Sequence, residues 1–357
     1  MQEVKQKLGR IRDLLKKKKL DGILITQQKN FSWLTSGRGF VNQATERAVS
    51  TILITNGEAR MIVNNIEAAR LIEEETQAEF DHVESFPWYE PTQLNELIMK
   101  RTSGAHVAWD TDLEADFISL RTTLTEKEEQ RIRLLAVDTA EAIEQTAREI
   151  QIGETEMKMA ARLAANCISK GIEPIVNLVA TDQRVFIRRH PLPTFKTLEK
   201  YAMLVIGGRR QGQIVSATRS IHFGEPPSNL LSRQQAVATV DAAMIAQTIP
   251  GARFTDLFTQ MKEAYSIVGY ADEWRHHHQG GLSGYVSREQ ILHIESKTEV
   301  KVGQVYAWNP SISGVKSEDT ILVSEQGQEI LSLTNQYPTI EVEWNGQKWK
   351  RPGILVR

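Results

Sequence analysis

Residues 203–224 read Met-Leu-Val-Ile-Gly-Gly-Arg-Arg-Gln-Gly-Gln-Ile-Val-Ser-Ala-Thr-Arg-Ser-Ile-His-Phe-Gly. Two apolar runs rich in β-branched residues flank a basic turn that carries glycines. This is the pattern of a β-hairpin with Thr218-Arg219-Ser220 on its return strand. The stretch contains no carboxylate, so it offers a divalent cation no acidic oxygen.

Upstream, residues 174–190 read as a strand-like run closing with Arg188-Arg189-His190-Pro191-Leu192-Pro193. Before it, Thr125-Glu126-Lys127-Glu128 has the spacing of a helix start, and helical periodicity continues through Ile132, Leu135, Ala136, Ala140 and Ile143 to Ile150. Gly153-Glu154-Thr155-Glu156 stops that helix and starts another, running to Gly171. Downstream come helices over 232–248 and 254–268, separated by Pro250-Gly251, then His276-His277-His278-Gln279-Gly280-Gly281. Strands are expected around 305–310 and 317–323.

The first third has a different pitch. Residues 2–19 read as an amphipathic helix with Val4, Leu8, Ile11, Leu14 and Leu15 on one stripe, followed by a strand over 21–26. Strands at 48–55, 61–63, 80–85 and 106–109 alternate with helical patterns at 65–74 and 92–102, which predicts a mixed sheet covered by helices and ending near residue 122. The polar segment from Arg38 to Arg47 is a loop of the kind that carries binding groups.

A chain of 357 residues, 41% hydrophobic and 25% charged, can build two cores. Its formal charge of −2 gives no general pull toward nucleic acid. Lys16-Lys17-Lys18-Lys19 reads as a solvated helix C-terminus favoured by the helix dipole. No apolar run approaches membrane-spanning length and the opening residues lack the apolar segment of a leader, so a cytoplasmic protein without membrane contact is expected. The single cysteine, Cys167, excludes an intrachain disulfide and reads as a core residue.

Five landmarks together resemble the pita-bread peptidase family of methionine aminopeptidase, aminopeptidase P, prolidase and creatinase. They are the hairpin, the helix pair before it, His278-Gln279-Gly280-Gly281, Asn309-Pro310, and Glu318-Asp319-Thr320-Ile321-Leu322-Val323. The resemblance runs from about residue 125 to 335 and implies an α/β (α+β) protein. A creatinase-like mixed-sheet N-terminal domain would cover 1–122 and a pita-bread domain 123–357, with residues 344–357 a packing extension. In that family two hairpin aspartates, a histidine and two glutamates hold a pair of metals. Here the second aspartate falls on Ser216, the first on Val205 or Gly207, and the first glutamate on Asn309, while His278 and Glu318 are kept. With three carboxylates gone, no metal and no cofactor is expected.

The resemblance extends to creatinase, which cleaves a C–N bond without metal through a histidine on the loop before the hairpin. His190 holds that place, and imidazole titrates where a group must take a proton from water and return it to a leaving nitrogen. The expected catalytic set is His190, His278 and Glu318, with Asn309, Tyr285 and Arg288 facing the substrate. A homodimer is expected in which Arg38 or Arg47 from the partner's N-terminal domain grips a carboxylate. Arg219 is expected to be a structural ion-pairing group. Adjacent histidines on an extended strand point to opposite faces, so among 276–278 at most His276 and His278 could converge, and one core or substrate-facing histidine beside a solvated neighbour is expected. The expected activity is metal-independent cleavage of a C–N bond in a small, carboxylate-bearing nitrogenous substrate. The rivals are an inactive pseudopeptidase that binds a ligand and a metal-dependent Xaa-Pro peptidase.

Overall fold

The computed structural model describes residues 2–76 and 78–357, leaving Met1 and Gln77 outside the description. The chain divides into two compact units, one of residues 1–125 with 211–213 and one of 126–210 with 214–357.

In the first unit, α1 (Gln2–Lys18) buries Val4, Ile11, Leu14 and Leu15. It is followed by β1 (Gly22–Gln27), α2 (Gln28–Thr35), β2 (Arg47–Thr55), β3 (Ala59–Asn64), the single turn α3 (Ala68–Arg70), β4 (His82–Phe86), α4 (Thr92–Thr102), β5 (Val107–Trp109) and α5 (Glu114–Thr122). The sheet order is β4-β3-β2-β1-β5. β1–β2 and β2–β3 are antiparallel, β3–β4 and β1–β5 parallel, so the sheet is mixed. The helix α2 carries no strong periodic signal; it ends at Ser36, whose left-handed φ of 61° closes the last turn. Buried Asp110 ties it to the sheet, accepting from the N–H groups of Thr26 and Gln27 and from Asn30 Nδ2.

The second unit opens with α6 (Glu126–Glu149) and α7 (Glu156–Ile168), the latter capped by Thr155, whose hydroxyl accepts from the Lys158 N–H. β6 (Glu173–Thr181) follows. The strand expected over 174–190 stops there: Asp182, at φ 50°, turns the chain into the short α8 (Gln183–Ile187). The Asp182 carboxylate fixes the bend by accepting from the N–H groups of Glu199, Lys200 and Tyr201. Then come the hairpin strands β7 (Tyr201–Arg210) and β8 (Gln213–His222), α9 (Ser228–Gln247) and α10 (Phe254–Ile267).

A 3-10 turn, Glu273–His276, leads to β9 (Gly280–Ser283), β10 (Gln290–Ile291), β11 (Val305–Trp308), β12 (Ser311–Ile312), β13 (Val315–Lys316), β14 (Asp319–Ser324) and β15 (Gly327–Ile330). The principal sheets run β18-β8-β7-β6 and β10-β9-β11-β14-β15, where β18 is Ile354–Val356. Val237, Val240, Phe254, Tyr265, Tyr306, Trp308 and Ile321 share the core against α9 and α10. The C-terminal residues do more than pack. β16 (Thr339–Trp344) and β17 (Gln347–Pro352) form a hairpin, and β18 adds a parallel edge strand to β8. Cys167 is buried and its thiol is pushed up to about 12 by burial, the state of an inert core residue.

Candidate functional site

The 3-10 turn Glu273–His276 delivers the chain to His277 in extended geometry. His276 is exposed, whereas His277 and His278 turn inward together, their rings stacked at 4.5 Å and 25°. Strand alternation therefore fails here. The pair sits between a 3-10 turn and Gly280, whose φ of +97° redirects the chain, so the two-residue period that would send neighbours to opposite faces never starts.

His190, on the loop after α8, meets both rings at centroid distances of 4.8 and 5.4 Å, and its Nε2 lies 3.0 Å from Nε2 of His277. Arg189 steadies that loop through Ser311 Oγ at 3.1 Å and through Glu273. All three imidazoles are held below their ordinary range. Burial is the first cause; positive charge is the second, from Lys316 on His190 and His277 and from Arg288 on His278, which stands at about 4. Nδ1 of His277 is buried without a hydrogen-bond partner.

Below the histidines, Glu318 accepts from Lys316 Nζ at 2.7 Å and Thr218 Oγ1 at 2.6 Å on one oxygen, and from Arg288 Nη2 at 3.0 Å on the other. Burial would raise its pKa, but the two cations and the hydroxyl outweigh that and hold the carboxyl at about 2. Burial conversely lowers Lys316 and Arg288, against the pull of Glu318. Arg288 also reaches Ser216 Oγ at 3.3 Å, so a guanidinium approaches one of the positions where the resembled family places an aspartate. Lys316 escaped the sequence reading. The available signal was its place two residues before Glu318, the spacing that puts two side chains on one face of an extended segment.

The other expected residues have their own partners. Tyr285 gives its hydroxyl to Glu128 Oε1 at 2.6 Å. Asn309 donates its backbone N–H to Gln279 O at 3.1 Å, and its Oδ1 is buried without a partner. In the N-terminal unit, Arg38 is paired with Glu75 at 2.6 Å and Arg47 opens β2, exposed. Val205 is in the core, and a Cβ added at Gly207 would meet the side chain of Val176 at 3.0 Å.

A dinuclear centre is bound chiefly through carboxylate charge. Ser216, Asn309 and Val205 or Gly207 offer none, and both oxygens of Glu318 are engaged by cations. These residues do not fit such a centre. The histidines are another matter: one nitrogen from each of His190, His277 and His278 lies within 4.8 Å of the others, a donor set of the number and type that suits one zinc-like ion.

Residues 130–325 match the model of metallopeptidase family M24, and residues 7–148 that of the creatinase/prolidase N-terminal domain. An uncharacterized peptidase of Staphylococcus aureus (strain MW2) is 23% identical over 354 residues, covering 91% of this chain and 98% of its own. Among solved structures, the prolidase from Pyrococcus horikoshii OT3 superposes with a TM-score of 0.77 at 20% identity, covering 92% of this chain and 99% of its own. The Xaa-Pro dipeptidase from Bacillus anthracis superposes at 0.78 and 18% identity, covering 99% and 100%. At such identities the superpositions establish the fold, two-domain and α/β.

Proposed function

The chain belongs to metallopeptidase family M24, and from that premise we propose that it is a hydrolase of a small, peptide-like, carboxylate-bearing substrate, cleaving an amide C–N bond. The observation that carries this reading is the meeting of three imidazoles at one point beside the Lys316–Glu318–Arg288 cluster. A neutral imidazole can take a proton from water and pass it to a leaving nitrogen. His190 is the ring of the three that is open to solvent, which suits it to that task, with His277 steadying it through the Nε2 contact. Glu318, ionised and engaged on both oxygens, holds the two cations in place and carries no proton.

A second reading has its own observation. The nitrogen cluster suits a single transition-metal ion, and the similar Bacillus anthracis protein is an Xaa-Pro dipeptidase, which together support a metal-dependent peptidase.

One assay series separates these. The purified protein is offered Xaa-Pro dipeptides and N-acyl amino acids, with and without chelator, and zinc or manganese is then restored. Amine release that survives chelation, and falls roughly a hundredfold or more in His190→Ala, is the expected result. Release lost on chelation and regained with metal establishes the second reading. Ligand-induced thermal stabilisation with no release anywhere in the panel identifies a binding protein derived from a peptidase. Full activity in His190→Ala removes His190 from the chemistry.

A further inference from the structure

We infer that, in the amide hydrolysis proposed above and resting on that reading, the Lys316 ammonium is a catalytic group: it receives the amide oxygen as that oxygen turns into an oxyanion. Lys316 lies on β13, directly opposite Ser311 on β12. Cross-strand partners share a face, and the other pair, Ile312 and Val315, points into the core, so Lys316 and Ser311 face the opposite way. That is the face on which Arg189, one residue before His190, donates to Ser311 Oγ at 3.1 Å. The two-residue turn of this hairpin is held as well. The Ser313 N–H donates to Glu273 at 3.2 Å and the Ser313 hydroxyl to the Phe186 carbonyl at 3.0 Å, and Glu273 also accepts from Arg189. The hairpin, the His190 loop and the 3-10 turn before His277 are thus clamped together around Lys316. After burial, the charge of Lys316 is the largest influence on the rings of His190 and His277.

The ammonium is buried and has three N–H donors. Glu318 Oε2 takes one at 2.7 Å, and among the described residues no acceptor meets the other two. A counter-ion for Glu318 needs only the first contact, and idle donors in a dry place are costly. They are useful where an acceptor gains charge during a reaction. As water adds to the amide carbon, its proton passes to His190 and the carbonyl π pair moves onto the oxygen, which the fixed ammonium meets without giving up its own proton. When that pair returns, the C–N bond breaks and the amine nitrogen takes the proton from His190. Glu318, ionised, keeps Lys316 charged and in place throughout.

The test is calorimetric titration of the full chain and of Lys316→Met, in chelator, with N-acetylglycine and with 3-(methylphosphinyl)propanoate, whose tetrahedral phosphinate stands where water addition would leave the amide carbon. The unsubstituted chain is expected to bind the phosphinate more tightly than the amide, and Lys316→Met to weaken the phosphinate roughly tenfold or more while leaving N-acetylglycine unchanged. Equal weakening of both, or of neither, overturns the inference, as does an unsubstituted chain that does not prefer the phosphinate. In turnover of N-acetylglycine, Lys316→Met should lower kcat roughly a hundredfold with KM little changed, the signature of a contact made only in the transition state. Unchanged kcat overturns the inference. Should that variant not fold, Lys316→Gln, which keeps a donor for Glu318 without the charge, is held to the same outcomes. The binding arm needs no turnover. Phosphinate preference lost in the variant, with no amine released by the unsubstituted chain, leaves Lys316 as the donor to a tetrahedral oxygen and removes the proposed reaction; turnover that survives the substitution keeps the reaction and removes Lys316 from it.

Discussion

His278 is stacked on His277, buried on one side and facing Arg288, His190, Lys316 and Glu318. Burial, then the positive charge of Arg288, brings it from an ordinary 6.5 to about 4. The sign of the consequence is fixed by linkage. Between those values the unfolded chain has bound the proton and the folded chain has not, so stability falls as the pH falls through that window. His277 and His190 are shifted the same way. Glu318 weighs in only at lower pH, since its contribution is lost between its ordinary 4.5 and about 2. Within this cluster, the interval from about 6.5 to 4.5 therefore reports on the histidines and not on Glu318. Calorimetry at constant ionic strength should show the midpoint dropping across it, and dropping less steeply in His278→Asn. An unchanged slope in that variant would place the acid sensitivity elsewhere.

The 3-10 turn, the two histidines and β9 act as one element, and its glycines set where the rings go. A Cβ on Gly280 would run into the carbonyl oxygen of Ala307, at a φ of +97° that L side chains avoid, and one on Gly281 would run into that of Gln290. Gly280→Ala and Gly281→Ala should each cost about 2–4 kcal/mol in urea unfolding and displace His278. Gly57→Ala, with nothing within 4 Å, should be near neutral; equal costs at the three sites would refute the steric account. The His278-Gln279-Gly280-Gly281 motif was legible in the sequence because close backbone approach leaves glycine as its trace. The joint turning of His277 and His278 was not, since strand periodicity says nothing about side chains at the exit of a 3-10 turn. Asp182 hid the end of β6 for a similar reason: one residue at φ 50° ends a strand without breaking the apolar pattern. Glu318 could be located from its flanking strand, but its state depends on Lys316 and Arg288, the latter 30 residues upstream, and only the fold brings them together.

Across the C-terminal unit a buried ion network joins elements far apart in the chain. Arg219 on β8 pairs with Glu144 on α6 at 3.0 Å and Asp319 on β14 at 3.1 Å, as expected of a structural ion-pairing group. Arg351 on β17 pairs with Asp241 on α9 at 2.6 Å and with Asp319 at 2.8 Å. The network lies directly under the site, because Arg219 and Asp319 are the neighbours of Thr218 and Glu318, which are themselves hydrogen-bonded through backbone and side chain. The C-terminal hairpin thus supplies a cation that holds Asp319, the neighbour of Glu318. Two arginines against three acids leave one acid in surplus, and burial raises the Asp241 carboxyl accordingly. The two members should therefore respond unequally to neutralisation. Arg351→Met strands Asp241 and leaves Asp319 to Arg219, and should cost about 3–5 kcal/mol, the usual penalty for breaking a buried pair from one side. Asp241→Asn removes the surplus charge while keeping an oxygen for Arg351 and Ser317, so it should cost about 1–2 kcal/mol, that of a weakened charge-assisted hydrogen bond. Denaturant unfolding of both variants decides the matter: equal losses would mean that Asp241 must be ionised, and that the third acid is balanced by charge outside the network.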